Sequence, residues 1–433
     1  MAKPNEENLI AAQEPDAPEE TASSCSDLRG RSAGAGSQHP AAGARAGDPH
    51  AVDMLAAARA AQKVDEAAFG GPGAVKVIAP AKVNLFLGIG DRRPDGYHEA
   101  LSVMHALTMH DVLRMRLAPA GSDGSDGLSV ALDCRVAEGL PPLDVPPEDN
   151  IVSRAIRRLA EAVGRNEDEQ VSVLLETRSP AAAGLGGGSS DAAAALVGLA
   201  QLWGLPADDP RIEEVARTLG ADVPFFLHGG CAVLGGAGDA LVRELAPMGS
   251  PVVLVKPAGG VSTAAAYRAF DERPVPVDPR DRDAALAAAS AQDVPLCNNL
   301  AAASESLLPA LADVRAWAEA CPEVRQALMS GSGSAVFALC DTFEAAGRAA
   351  AQARMRGWWA HATMFGRARA AAVPSRGGRA RGIASSDPLR RSLPRPVDVA
   401  DAIWRRGKDR TRAKGELAGL QIQSVSSAHA GRC

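Results

Sequence analysis

The chain is poor in aromatic residues: Phe, Trp and Tyr together make up 3% of its 433 residues. Any core must therefore be built mainly from Ala, Val and Leu. The seven cysteines form no CxxC pair and no His/Cys cluster at metal-ligand spacing, which excludes a zinc ribbon or a dithiol redox motif and points to a reduced compartment. No apolar run reaches the roughly 20 residues that span a bilayer. The opening MAKPNEENLIAAQEPDAPEE has no basic start followed by an apolar core, so no secretory or transit peptide is expected and the cytoplasm is the expected location. Positive charge is not in excess either. A formal net charge of −6 argues against a chain devoted to coating nucleic acid, and neither a nucleic-acid partner nor a membrane is expected. A small anionic ligand remains compatible, because it responds to local donors rather than to the global sum.

The length allows two or three compact units. Residues 1–50 are rich in Ala, Gly, Pro, Ser and acids and read as an extension without a core; a short helix is compatible with 51–68. The first sharply patterned stretch is VKVIAPAKVNLFLGIG, residues 75–90, expected as one or two strands interrupted near Pro80. DRRPDGYHEA carries a turn signal at Asp95-Gly96. DVLRMRLAP is a second strand, followed by a polar SDGSDG loop.

Residues 147–164 read as a helix, since Ile151, Ala155, Leu159 and Val163 recur every four residues and Asn150 can cap. VSVLLETRS is a strand, AAAALVGLAQLWG and RIEEVARTLG are helices, and VVLVKPAGGVSTAAAYRAF passes from strand to turn to helix with Thr263 as a cap. QALMSGSGSAVFALC sets a Gly/Ser loop directly before a strand. Strands and helices intermix, which predicts an α+β protein with two interdigitated lobes. The expected divisions are an extension at 1–73, lobes at 74–245 and 246–370, and a tail at 371–433. That tail carries 13 Lys/Arg against 5 Asp/Glu; a solvated appendage and a binding tail, with Trp404 beside Arg405 and Arg406, both fit it.

The chemistry concentrates in PAAAGLGGGSSDAAAAL. Gly184, Gly186, Gly187 and Gly188 permit a concave run of backbone N–H groups, and a helix starting at Ser189 or Ser190 adds its positive end. Asp191 would then lie in the first turn, where a carboxylate favours the dipole. An ordinary turn before an alanine-rich helix is the alternative. The loop is neither GxGxxG nor a Walker motif, and it lacks the Walker lysine. Lys82, with Asn84 on the same face of an extended segment, is a candidate remote cation. Tyr97 and His98 offer an aromatic surface and a hydrogen-bonding ring. Asp222, in GADVPFF, can accept a proton from an alcohol, cap Val223 or pair with a nearby base. Gly331 and Gly333, in MSGSGSAVF, either line a ligand or simply start a strand.

Taken together and in order, APAKVNLFLGI, RPDGYHE, PAAAGLGGGSSDAAAAL, LGADVPFFLHG and MSGSGSAVF resemble the GHMP small-molecule kinase family over residues 75–365. The resemblance implies an N-terminal lobe similar to ribosomal protein S5, a C-terminal GHMP lobe, and ATP with Mg²⁺ meeting an alcohol between them. It implies a catalytic pair, Lys82 and Asp222. It assigns the ATP phosphate loop to Pro180, Ala181, Ala182, Ala183, Gly184, Leu185, Gly186, Gly187, Gly188, Ser189 and Ser190. Asn84, Tyr97, His98 and Asp222 would bind the acceptor, which RPDGYHE and GADVPFF narrow to 4-diphosphocytidyl-2-C-methyl-D-erythritol, phosphorylated on its 2-hydroxyl. Another small alcohol, or an ATP-responsive regulator, would be the alternatives. Two positions depart from the family's pattern: Asn299 stands where an acid is common, and the loop begins Pro-Ala-Ala-Ala without an additional glycine. No secure protein ligand for Mg²⁺ is evident. No repeat or coiled-coil pattern chooses between a monomer and a homodimer.

Overall fold

The computed structural model describes residues 66–94, 96–119, 127–143, 145–165 and 168–373. The expectations for the first 65 residues, for most of the SDGSDG loop and for Trp404 with its arginines lie outside the described residues.

Strand β1 (Ala74–Arg92) and strand β2 (His98–Pro119) form one long antiparallel hairpin. The interruption expected at Pro80 is a bulge rather than a break: the register shifts between Pro80 and Lys82, and again between Asn84 and Phe86. Proline lacks a ladder donor, so a bulge is where a long strand tolerates it. DVLRMRLAP is the second half of β2 rather than a strand of its own. Strands β3 (Ser129–Val136) and β4 (Glu169–Thr177) are parallel to each other, and β4 pairs with the second half of β2. The first half of β2 pairs instead with β5 (Cys231–Gly235), which pairs with β6 (Ala240–Leu245).

A second sheet runs β11-β7-β10-β9, from β7 (Pro251–Lys256), β9 (Val324–Met329), β10 (Val336–Cys340) and β11 (Trp359–Met364). Two later segments return to the first sheet. Strand β8 (Cys297–Asn298) lies parallel to β1, and β12 (Ala371–Val373) antiparallel to it. Residues 371–373 therefore belong to the fold, not to the tail expected to begin there. At the other end, Glu66–Gly70 forms a 3₁₀ turn whose Phe69 is buried, so the fold also begins before residue 74.

Nine helices cover these sheets among the described residues: α1 (Ile151–Val163), α2 (Gly187–Trp203), α3 (Pro210–Leu219), α4 (Val223–His228), α5 (Thr263–Glu272), α6 (Pro279–Ala287), α7 (Ala301–Leu307), α8 (Pro309–Ala320) and α9 (Phe343–Met355). Asn150 caps α1 as its sequence predicts, accepting from the Val152 N–H at 2.9 Å. Ser262, not Thr263, caps α5. Helix α2 carries the core: Ala192, Ala193, Ala194, Ala195, Leu196 and Leu199 are fully buried with Val77, Met115, Val171 and Val173 of the first sheet. The small side chains bring helix and sheet close together. A Cβ at Gly198 would stand 2.5 Å from Met115 Sδ, so any side chain there would force Met115 to move. Scarce aromatics and abundant alanine thus give a closely spaced core. No helix among the described residues is long and apolar enough to cross a membrane.

Candidate active site

The bulge in β1 frees the main-chain N–H of Lys82 from the β1–β2 ladder. It donates to the carbonyl of Leu185 at 3.0 Å, tying the strand to the glycine loop. Lys82 and Asn84, two residues apart, share a face as the strand period requires: the ammonium donates to Asn84 Oδ1 at 2.7 Å, and Asn84 Nδ2 donates to Ser102 Oγ at 2.9 Å. Lys82 is 3% exposed. Its charge is met by Asp222, whose Oδ2 lies 3.3 Å from Nζ. Asp222 occupies the position before α4 but makes no capping bond. The capping role the sequence left open is not realised, and the carboxylate pairs with a cation instead.

These three side chains open onto a cavity of about 640 Å³ that residues 180–189 also line. Helix α2 begins at Gly187, two residues before the expected start. Its cap is Gly186, in the left-handed region at φ 70° and without a side-chain capping bond. The first N–H groups of α2 are thus left to a ligand at the positive end of the helix. Ser190 is fully buried and does not line the cavity.

Asp191 corrects the expectation of a first-turn carboxylate. It lies deeper in the helix, 5% exposed, with Oδ1 lacking a hydrogen-bond partner. Burial, with a further contribution from Asp111, holds its carboxyl well above the usual range, as expected for two buried acids close together. Asp111 itself is fully buried. Its Oδ1 accepts the successive main-chain N–H groups of Arg178 at 2.6 Å and Ser179 at 2.9 Å, at the start of the glycine loop.

The second Gly/Ser loop is laced to the first. Ser330 Oγ donates to the Gly184 carbonyl at 2.8 Å, and the N–H groups of Ser334 and Ala335 donate to Ala182 and Ala183 at 3.2 and 3.1 Å. Gly331 and Gly333 line the cavity. A Cβ on Gly184 would fall 2.0 Å from the Ser330 carbonyl oxygen, at φ 71°, so this crossing admits glycine alone. Ala182 is the exception, a non-glycine residue at φ 48°. The loop start without its extra glycine therefore bears backbone strain.

Asn299 turns its amide to structural use. Its Oδ1 accepts from Ile89 N, and Nδ2 donates to the carbonyls of Ile89 and Val275, all within 2.9 Å. An aspartate could make the first contact but not the other two.

Tyr97 and His98 do not line the cavity. Tyr97 is 67% exposed, while His98 is buried, its Nε2 2.7 Å from Asp271 Oδ1. The link to the cavity is Tyr267 of α5, whose ring centroid is 5.4 Å from that of His98 and which lines the cavity itself. Burial and then the charge of Asp222 push its phenol up to about 12, so it remains a hydrogen-bond donor at neutral pH. The sequence reading gave no role to Tyr267 or Asp111, and named Ser330 only within MSGSGSAVF. Tyr267 carried a signal as one of only two tyrosines, and Asp111 carried none.

Residues 150–230 match the family described as GHMP kinases N terminal domain, and residues 281–357 match GHMP kinases C terminal. A 4-diphosphocytidyl-2-C-methyl-D-erythritol kinase of Pelotomaculum thermopropionicum is 39% identical over 287 residues, covering 65% of this chain and 94% of the relative. One from Nocardia farcinica is 40% identical over 294 residues, covering 65% and 90%. Among solved structures, a 4-(cytidine 5'-diphospho)-2C-methyl-D-erythritol kinase superposes with a TM-score of 0.54 at 36% identity, covering 67% of this chain and 99% of that one. A homoserine kinase from Cytophaga hutchinsonii superposes with a TM-score of 0.51 at 20% identity, covering 70% and 98%, and so shares the fold.

Proposed function

The chain belongs to the GHMP kinase family and has its two-lobed α+β fold; on that premise we propose that it transfers the γ-phosphoryl group of ATP to the 2-hydroxyl of 4-diphosphocytidyl-2-C-methyl-D-erythritol. The observation that carries the reading is the Lys82–Asp222 pair, 3.3 Å apart, at the mouth of a glycine loop that opens a helix.

The phosphates of ATP lie along residues 180–189, held by main-chain donors and the uncapped start of α2. Asp222 orients the acceptor hydroxyl and takes its proton as the new O–P bond forms and the bond to the β-phosphate bridging oxygen breaks, releasing ADP. Lys82, fixed by Asn84 Oδ1, stabilises the charge that gathers on the transferred oxygens. Asn84, which lines the cavity, contributes to holding the acceptor. Tyr267 extends an aromatic surface from His98 into the cavity.

No group of three or more His, Cys, Asp or Glu side chains among the described residues could hold a metal ion. That donor set fits Mg²⁺ delivered with ATP, since Mg²⁺ keeps several waters and takes few protein ligands. Ser189, which lines the cavity at the start of α2, would hold it through its hydroxyl. When bound, the ion neutralises phosphate charge.

The test is direct. Purified protein is incubated with Mg·ATP and the cytidine-linked alcohol, with homoserine and mevalonate in parallel, and the products are identified by mass and phosphorus NMR. Phosphorylation of the cytidine-linked alcohol alone is expected. Failure of the folded protein to phosphorylate it would refute the reading.

A further inference from the structure

A second cleft, of about 510 Å³, shares no lining residue with the catalytic cavity. One wall is Arg178, just after β4, with residues 137–140 after β3; the other is Arg354 of α9 with residues 357–361 leading into β11. We propose that this cleft binds a ligand of the nucleoside monophosphate class, with Arg178 and Arg354 on its phosphate and Trp359 against its planar base.

The positive charge in the cleft is uncommitted. Neither Arg178 nor Arg354 forms an ion pair among the described residues, although Glu138 also lines the cleft. The plane of Arg354 is fixed because Nε and Nη2 both donate to the Ala360 carbonyl, at 3.1 and 2.8 Å, leaving Nη1 for another acceptor. A fixed guanidinium loses little freedom on binding, and its charge and remaining Nη1 donors suit a phosphate oxygen. Both arginines line this one cleft. His361, in the same cleft, is held below the ordinary imidazole range first by burial, then by Arg354 and Arg178, so both charges are felt at one ring.

The planar element lies beside that charge. Trp359 and His361 are alternate residues of β11, their rings only 13° from parallel with centroids 6.2 Å apart. An indole flank with two guanidiniums is the chemistry that recognises an aromatic phosphate ester rather than a simple anion. The cleft also touches the catalytic loop. The main-chain N–H of Arg178 is one of the two held by Asp111, and the other belongs to Ser179, which lines the catalytic cavity. Occupancy would therefore bear on how the glycine loop receives ATP.

The experiment uses the full chain saturated with Mg²⁺, a non-hydrolysable ATP analogue and the acceptor alcohol, so that both catalytic subsites are filled. GMP is titrated in by calorimetry, with guanosine and ribose 5-phosphate as separate arms. GMP should bind at least about tenfold more tightly than either fragment. Arg178→Ala and Arg354→Ala should each weaken it by about tenfold or more, and the lysine substitutions by less. Circular dichroism of each variant confirms its fold. The proposal is overturned if GMP does not bind at millimolar concentration, if ribose 5-phosphate binds equally well, or if GMP binding survives in the folded double alanine variant.

Discussion

The main-chain N–H of Lys82 donates a 3.0 Å hydrogen bond to the carbonyl of Leu185, so the strand that carries the cation and the glycine loop are held in one register. The bulge after Pro80 makes that bond available. A cation delivered from a strand can then replace one built into the loop, because its origin is fixed relative to the proposed phosphate site. Transition-state stabilisation depends on that preorganisation rather than on charge alone.

Asp222→Asn keeps the shape of the side chain but removes the proton acceptor. Turnover should fall by roughly 10²–10⁴-fold, the usual worth of a positioned general base. Binding of a non-hydrolysable ATP analogue should persist, since the glycine loop is untouched. Lys82→Met should likewise lower kcat far more than it raises the KM for ATP. Steady-state kinetics with calorimetry separate the two effects; a folded Asp222→Asn enzyme with near-native kcat would remove Asp222 from its role.

Gly184→Ala places a methyl group where the Ser330 carbonyl stands. One of the two loops must withdraw, and the Ser330 Oγ to Gly184 carbonyl bond breaks with it. A stability loss of about 2–3 kcal/mol is expected for such a clash in a strained backbone position, together with weakened ATP binding. Ser330→Ala removes that bond and the 3.4 Å bond that the Asn84 N–H donates to the same hydroxyl, without a clash, and should cost about 1–2 kcal/mol. Urea unfolding of the two variants checks the ordering.

Local pattern carried much of this architecture. The four-residue spacing of Ile151, Ala155, Leu159 and Val163 and the cap at Asn150 are properties of a short window, and α1 follows them. Lys82 and Asn84 share a face because a strand has period two, and they meet at 2.7 Å. What the window could not contain was pairing across the chain. Nothing near Asp111 announces that it holds the N–H groups of Arg178 and Ser179, and nothing near Asn299 announces its clasp on Ile89 and Val275. Asp191 misled for a related reason. A carboxylate after Ser-Ser reads as a capping residue, whereas the helix begins earlier and carries it into the core.

Asp111→Ala removes the acceptor for two adjacent peptide N–H groups in a fully buried setting. Leaving such donors unsatisfied costs about 1–3 kcal/mol each, so residues 178–180 should shift to find new partners. The KM for ATP should rise several-fold while the KM for the acceptor changes little. Asp111→Asn retains an oxygen that can accept both bonds and should sit between the wild type and the alanine variant. Equal KM values for ATP in all three proteins would show that the start of the loop is set elsewhere.

His105 supplies a prediction about pH. The ring is fully buried, Met248 N donates to its Nε2 at 3.0 Å, and Nδ1 is 2.9 Å from the Ala106 carbonyl. Because a main-chain N–H can only donate, Nε2 must be the acceptor and Nδ1–H the donor, which is the neutral tautomer. Burial lowers the pKa from 6.5 to about 4, against a smaller opposing effect of the Ala106 carbonyl. The unfolded chain therefore takes up this proton near pH 6.5 while the folded chain resists it until about pH 4. Its stabilising contribution is present in full above pH 6.5 and is lost as the pH falls toward 4, by up to about 3 kcal/mol. His105→Gln retains one acceptor and one donor but does not titrate. Between pH 7 and pH 4.5 the stability of that variant, measured by urea unfolding, should decline less steeply than that of the wild type, and parallel declines would show that the imidazole is not the titrating group.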